Sequence, residues 1–422
     1  MKNIQSILLA SLVTLLACGQ KETKYTAMDP TKQAVQKDEG VIRYVKQVPE
    51  LIEVDYDEAE DIEFSEHFKI TKVIPLSDEV LLGRVDKLRF TDKHILVLDN
   101  RISKGVFCFD WEGNLIWKFD HEGGGPDEFL DLNDFDLVDD RVILFDAGGL
   151  KSIELDVNTG NIIDKKNFYT NGIQIFATAG HYIFTPICVT YGEGMDYKLL
   201  VFNDQNELVS KLLPYEKVNI GNCYDVKPFL TKAEDGSSYF FETINDTVYH
   251  VVGDQVIPKY QIHYGDGFLE NVAEYKNMSY KDIINLEEYR TSMISPVSNF
   301  LDIGKFICIQ ASKYDEDIQR KFLFTYFYNK ESKEVSVVKL IKNDPFFIVH
   351  PNPTLSPLLF DHAYENQLIK VVFPQNYKAV RDLIARDSLN NAIYKERYFP
   401  LYDMIQNTEE ESNPVLVFYE KL

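Results

Sequence analysis

Three features of this sequence predict an all-β chain: a six-bladed β-propeller of four-stranded blades with two partly helical insertions. The first is a repeat. Ile95-Leu96-Val97-Leu98-Asp99 recurs as Val142-Ile143-Leu144-Phe145-Asp146, 47 residues on. The second is a shared strand and turn after each copy. Val106-Phe107-Cys108-Phe109-Asp110 leads to a turn at Gly113, and Ser152-Ile153-Glu154-Leu155-Asp156 leads to a turn at Gly160. The third is composition: 25 Tyr and 28 Phe against 21 Gly and 16 Pro suit pleated surfaces. Asp ends a strand because its carboxylate accepts from nearby turn amides, and Gly tolerates positive φ. A unit of this length cannot bury both of its faces alone; units set radially bury one another.

In chain order, Lys2 and the apolar run Ile7 to Ala17 come first. They have signal-peptide dimensions, too short for a permanent membrane span. The run ends Leu15-Leu16-Ala17-Cys18, which resembles a bacterial lipobox. The resemblance implies removal of residues 1–17 and lipid on Cys18; the alternative is a plain secretory signal with an incidental Cys. Residues 18–49 read as the lipidated Cys and a polar tether of roughly 30 Å reach. Their start, GQKETKY, is similar to the surface-export signal of Bacteroidota lipoproteins. The expected location is therefore the cell envelope, lipid-anchored at the outer membrane, on either its periplasmic or its surface face.

The propeller is expected over 50–422. Order should begin near Glu53, with a first strand at 68–76. Two clear units come next, each preceded by an inner strand (Val85 to Phe90, Leu132 to Leu137). Four more degenerate units start near Tyr182, Tyr239, Phe306 and Leu368. Residues 264–295 have helical spacing at Ile283, Leu286, Tyr289 and Met293 after a capping-box-like Ser279, and read as an insertion. Residues 376–412 read as a second, splitting the last blade. Its final strand, Val415 to Tyr419, should then lie beside the strand at 68–76 and close the ring.

These stretches resemble the six-bladed β-propeller lipoproteins of Bacteroidota. The resemblance rests on DEAEDIEFSEHFKITKVIPL (57–76), LLGRVDKL (81–88), ILVLDN (95–100), VFCFDWEGNLI (106–116), GGGPDEFLDLNDFDL (123–137) and NPVLVFYEKL (413–422). Its most specific element is GxGPxE(F/Y), here Gly123, Gly124, Gly125, Pro126, Asp127, Glu128 and Phe129, with Asp127 where Gly is common. The resemblance implies fold and location, and little chemistry.

Charge removes some functions. The 44 Lys and Arg face 67 Asp and Glu, a net −23. Loss of Lys2 with the signal takes this to −24. No basic cluster is available for phosphate backbones, so nucleic acid is excluded as a partner. The GGGP stretch lacks the Lys-Ser/Thr of a phosphate loop and precedes a strand, so it reads as a tight blade-to-blade crossover, with Asp127 and Glu128 capping its amides. Asp131, Asn133, Asp134 and Asp136 are oxygen-rich, and Ca²⁺ is the one cofactor they suggest. Their spacing fails the EF-loop pattern, so solvated or turn-capping Asp is expected and no metal site is assigned. No HExxH or GxSxG occurs, and no catalytic residue is assigned. Cys108 and Cys308 sit in apolar runs and read as buried free thiols; Cys188 and Cys223 complete the set. Thr247 and Ser388 fit the Asp-Ser/Thr-apolar pattern of Bacteroidota O-glycosylation.

The functional expectation is a binding or interaction module for a protein, peptide or glycan, anchored to the membrane through its lipid. The alternative is a metal-dependent hydrolase or lyase in the channel mouth, with ligands such as Asn133, Asn299 or Asp361 on the innermost strands.

Overall fold

The computed structural model describes residues 45–168, 172–186, 197–214, 228–233, 235–242, 246–264, 295–315, 320–342, 360–374, 399–409 and 411–422, with helical pairs at 381–382, 385–386, 391–392 and 395–396. The chain opens with β1 (Glu50–Glu53), β2 (Glu60–Glu63), a single helical turn α1 (Phe64–His67) and β3 (Phe68–Pro75). Blade 1 is β4 (Lys87–Phe90), β5 (Ile95–Asp99), β6 (Gly105–Phe109) and β7 (Leu115–Phe119). Blade 2 is β8 (Leu132–Val138), β9 (Arg141–Asp146), β10 (Lys151–Asp156) and β11 (Ile162–Asn167). Blade 3 is β12 (Gly172–Thr178), β13 (His181–Pro186), β14 (Tyr197–Asn203) and β15 (Leu208–Pro214). Blade 4 is β16 (Pro228–Lys232), β17 (Ser238–Glu242), β18 (Thr247–Val252) and β19 (Gln255–His263). Blade 5 is β20 (Ser295–Ile303), β21 (Phe306–Asp315), β22 (Arg320–Asn329) and β23 (Val335–Lys342). Blade 6 takes β24 (His362–Tyr364), β25 (Gln367–Val372) and β26 (Val415–Lys421), with α2 (Phe399–Asn407) between the last two. Its fourth strand is β3, antiparallel to β26 from Val415↔Pro75 to Lys421↔Phe68. The six sheets form a ring with the first strand of each blade innermost.

Alternation along β5 explains why the ring packs. Leu96 and Leu98 point to one side and join Phe135, Val142 and Leu144 of blade 2. Ile95 and Val97 point to the other and join Ile369, Leu416 and Phe418 of blade 6. Both faces of a middle strand are therefore covered, which is why these strands read as unbroken apolar runs. Four more clusters of the same kind join blades 2–3, 3–4, 4–5 and 5–6. Six junctions for six blades leave no open sheet face.

The N-terminal segment departs from expectation. β1 pairs parallel with β19, and β2 pairs parallel with β23. Contact starts earlier still, where the Val45 amide donates to the Val256 carbonyl at 3.1 Å. The segment thus runs along the outer edges of blades 4, 5 and 6 in turn. Each of the first two strands carries one apolar side chain inward, Ile52 and Ile62, between outer Glu residues. Four residues with one Ile show no readable period; a ready-made sheet edge supplies the order.

The turns between third and fourth strands share one device. Asp110, Asp156, Asn203 and Asn329 each accept from two backbone amides two to four residues on. Gly113 at φ 86° completes the first of these turns. Cys108 and Cys308 are buried and free, and burial pushes the Cys108 thiol up to about 12.

Candidate functional site

The charged residues of the inner strands meet around the ring centre. On β4, Lys87 and Arg89 alternate with Leu88 and Phe90, so the two cations share a face. On β8, Asp134 and Asp136 do the same. The spacings match, and Lys87 Nζ reaches Asp134 Oδ2 at 2.9 Å while Arg89 Nε pairs with Asp136 Oδ1. Each carboxylate also accepts from blade 3. The Ile175 amide donates to Asp134 at 2.9 Å, and the Ala177 amide to Asp136 at 2.7 Å. Lys87 donates to the Ile175 carbonyl as well, at 3.2 Å. Two carboxylates therefore staple three blades. Burial works to raise the Asp136 carboxyl, but the Arg89 and Lys87 charges outweigh it and hold it below the usual range. Burial lowers the Lys87 ammonium, and Arg89 adds to this.

These Asp residues correct the expectation of solvated or turn-capping carboxylates. They are buried and paired between blades. The signal that reveals them is the repeat itself: Lys87 and Asp134, and Arg89 and Asp136, stand 47 residues apart, one repeat. Equivalent positions in adjacent blades carry opposite charges. Two members of the oxygen-rich cluster are thus already neutralised by cations, so the arrangement does not suit Ca²⁺. Among the described residues no three His, Cys, Asp or Glu side chains gather as a metal site.

Beyond the staple lie two further basic groups. Lys232 ends β16 in blade 4, opposite blade 1, and its ammonium makes no hydrogen bond or ion pair among the described residues. Water reaches it, yet enclosure by protein and then the Arg89 charge lower its ammonium, with Asp136 opposing. His362 on β24 has its imidazole pushed down to about 3 by burial and by Arg89 and Lys87. Arg89 Nη2 is buried without a partner among the described residues, as are Asn133 Oδ1 and Thr231 Oγ1.

Asn133, Asn299 and Asp361 do not converge. The Asn133 carbonyl accepts from Asn100 Nδ2 at 2.9 Å, and Asn299 Nδ2 donates to the Phe360 carbonyl at 2.8 Å. Asp361 accepts from the Val371 amide at 2.8 Å. In the β7–β8 connection, Glu128 folds back so that Oε2 accepts from the Gly125 amide at 2.6 Å. A Cβ on Gly123 would lie 2.1 Å from that oxygen, which explains glycine there. Gly124 faces open space, the Pro126 carbonyl accepts from Lys165 Nζ, and Phe129 is buried in the blade 1–2 junction. Asp127 pairs with Lys165 at 2.5 Å and caps no amide among the described residues. Thr247 opens β18, half-buried, with Oγ1 donating to Asp246 at 2.9 Å. Cys18, Cys188, Cys223 and Ser388 lie outside the described residues.

Two constellations escaped the sequence reading. Asp99 is fully buried and accepts from the amides of Gly83, Arg84, Arg101 and Ile102. Asp146 repeats this with Leu130, Asp131 and Gly149. The strand-ending Asp thus clamps the incoming crossover as well as its own turn. The second is Asp235, Ser237 and His250. Ser237 Oγ bonds His250 Nε2, but Asp235 approaches the same nitrogen, at 3.5 Å. A catalytic triad needs the carboxylate on Nδ1, holding the tautomer from the far side. Asp235 also accepts from the Ser237 amide at 2.9 Å, which makes the group a turn cap.

Among the described residues no helix is long and apolar enough to cross a membrane. No curated protein matches the chain. Among solved structures, it is similar to a Bacteroides fragilis protein described as exported, with TM-score 0.67, 13% identity, and coverage of 88% of this chain and 99% of that one. A member of the DUF4221 family from Bacteroides vulgatus matches with TM-score 0.41, 10% identity, and 64% and 86% coverage. A virginiamycin B lyase from Staphylococcus aureus matches with TM-score 0.39, 12% identity, and 72% and 81% coverage. The first likeness supports the propeller fold. A family model matches residues 49–420, nearly the whole ring, and the chain belongs to that family, described as a domain of unknown function, DUF4934.

Proposed function

We propose that this chain is a lipid-anchored, extracytoplasmic β-propeller at the outer membrane that serves as a binding module for a protein, peptide or glycan. The observation that carries the reading is the use made of the channel carboxylates. Asp134 and Asp136 are bound to cations and amides of neighbouring blades, which suits a rigid ring that presents its loops and channel to a partner. The anchoring reading is supported by the lipobox-like run before Cys18. Metabolic labelling with a palmitate analogue tests it: full-length protein should take the label and sediment with membranes. Cys18→Ala should lose both; a labelled Cys18→Ala protein would defeat the anchor. The binding reading is tested on arrays of envelope glycans and peptides with the purified full chain, where saturable capture is expected. Absence of capture across such arrays and from native membranes would overturn it.

A further inference from the structure

Asp99 holds two loops together where the chain enters blade 1. Its Oδ2 accepts from the Gly83 and Arg84 amides at 2.8 and 2.9 Å, and its Oδ1 from the Arg101 and Ile102 amides at 3.2 and 2.9 Å. Ser103 Oγ donates to the Leu81 carbonyl at 2.6 Å. Leu81, Arg84, Arg101 and Ile102 therefore leave the ring from one rigid clamp. Leu81 and Ile102 are each 63% exposed; among the described residues only Val48, in the N-terminal segment, is a more exposed large apolar side chain. Arg84 is exposed and pairs with Asp86 at 2.9 Å. The exposed Arg101 guanidinium makes no hydrogen bond or ion pair among the described residues.

The clamp itself does not need these side chains. Asp146 makes the same clamp with the amides of Leu130, Asp131 and Gly149. At that second clamp, 47 residues on, Asp131 stands for Arg84, and Gly148 and Gly149 stand for Arg101 and Ile102. Paired aliphatic and cationic groups where the fold accepts glycine are surplus to folding, and grouped apolar surface left in water marks a contact. Its position favours a peptide over a lipid surface. Loops between second and third strands, such as that after β5, open on one face of the ring, and turns between third and fourth strands on the other. The N-terminal chain joins at that other face: the Val45 amide bonds to Val256, just after the β18–β19 turn, in blade 4 across the ring. The chain that leads to the anchor thus leaves the ring on the side away from Leu81 and Ile102.

We propose that Leu81, Arg84, Arg101 and Ile102 form a docking patch for an acidic peptide segment of a partner, with an aliphatic side chain of the segment against Leu81 and Ile102 and its carboxylates against the two arginines. The inference rests on the binding reading above and names the kind of partner. Charge complementarity selects an acidic over a basic segment, and aliphatic contacts suit a peptide better than a hydroxyl-rich glycan. The chain uses the same pairing on itself: in β1, Glu50 bonds Lys333 at 2.6 Å while Ile52 enters the blade 4–5 core.

The probes are fluorescent hexapeptides of three compositions: Asp and Glu with Leu and Ile; Lys and Arg with Leu and Ile; Asp and Glu with Ser and Gln. Fluorescence anisotropy with the purified full chain should show saturable binding of the first set alone, weakened by salt. Ile102→Ser should weaken it about tenfold, and Arg101→Gln should weaken it and flatten its salt dependence. Ile163→Ser, which removes an exposed aliphatic side chain from β11, should leave it unchanged. Absence of saturable binding by the first set, equally tight binding of the second, or unaltered affinity in both Ile102→Ser and Arg101→Gln overturns the patch. Binding of phosphatidylglycerol vesicles that is lost in Ile102→Ser, with no peptide bound, overturns the peptide in favour of a membrane. If an array ligand is held equally by wild type and both variants, the patch fails while the binding module stands.

Discussion

Asp99 concentrates the residue-scale logic of the ring. Burial alone would raise its carboxyl, but the amides of Ile102, Arg84 and Arg101 more than reverse this and hold it below the usual carboxylate range. A carboxyl lowered by folding adds stability above its unfolded value, and that stability fades as pH falls through the lower, folded value. Asp99→Ala strands several buried amides and should destabilise the protein by about 3 kcal/mol. Asp99→Asn keeps one acceptor oxygen and should be milder. Its deficit against wild type in urea unfolding should be full at pH 6 and should shrink below about pH 3.8, because only the wild-type carboxylate titrates. A deficit independent of pH would mean that the charge of Asp99 contributes nothing.

At the scale of elements, glycine positions separate backbone demand from crowding. Gly113 has φ 86°, and a Cβ there would stand 2.0 Å from the Pro75 carbonyl oxygen. That obstacle is main chain, in the closing strand of blade 6. Gly123 is crowded only by the Glu128 carboxylate, the mobile end of a side chain. Gly113→Ala should therefore cost several kcal/mol, and Gly123→Ala about 1 kcal/mol, the worth of the displaced Glu128–Gly125 bond. In a Glu128→Ala background, the second change should become almost neutral. Thermal unfolding of the two singles and the double variant measures this, and equal costs for both glycines would refute the distinction. The repeat made these turns legible, since Asp110 and Asp156 with Gly113 and Gly160 recur in register. β1 and β2 were illegible for a physical reason: their order comes from edges belonging to β19 and β23, some 200 residues or more away in sequence.

The whole molecule is a ring closed by its first long strand. β3 completes blade 6, while β1 and β2 only line blades 4 and 5. Deletion through residue 67 should lower the melting temperature and leave a cooperative fold. Deletion through residue 76 should abolish cooperative unfolding, since it exposes β26 and removes Ile74 and Leu76 from the junction of blades 6 and 1. Blade count and closure were readable because apolar periodicity is local to each strand. The charge staple at the centre was not, because Lys87–Asp134 and Arg89–Asp136 emerge only when consecutive repeats are aligned and their charges compared. Thr247 and the GxGPxE(F/Y) residues illustrate the same divide: the pattern marks a place in the chain, and the neighbours brought by folding decide what that place can do.

The proposed binding role requires that this ring hold its ligand without transforming it. The most direct measurement is equilibrium binding of an array-identified ligand to the full chain, followed by mass spectrometry of the recovered ligand after prolonged incubation with and without added Ca²⁺ or Zn²⁺. Saturable binding with the ligand recovered at its original mass is the predicted result. Recovery of a cleaved or eliminated product, dependent on added metal, would contradict the account and favour a hydrolase or lyase in the channel mouth.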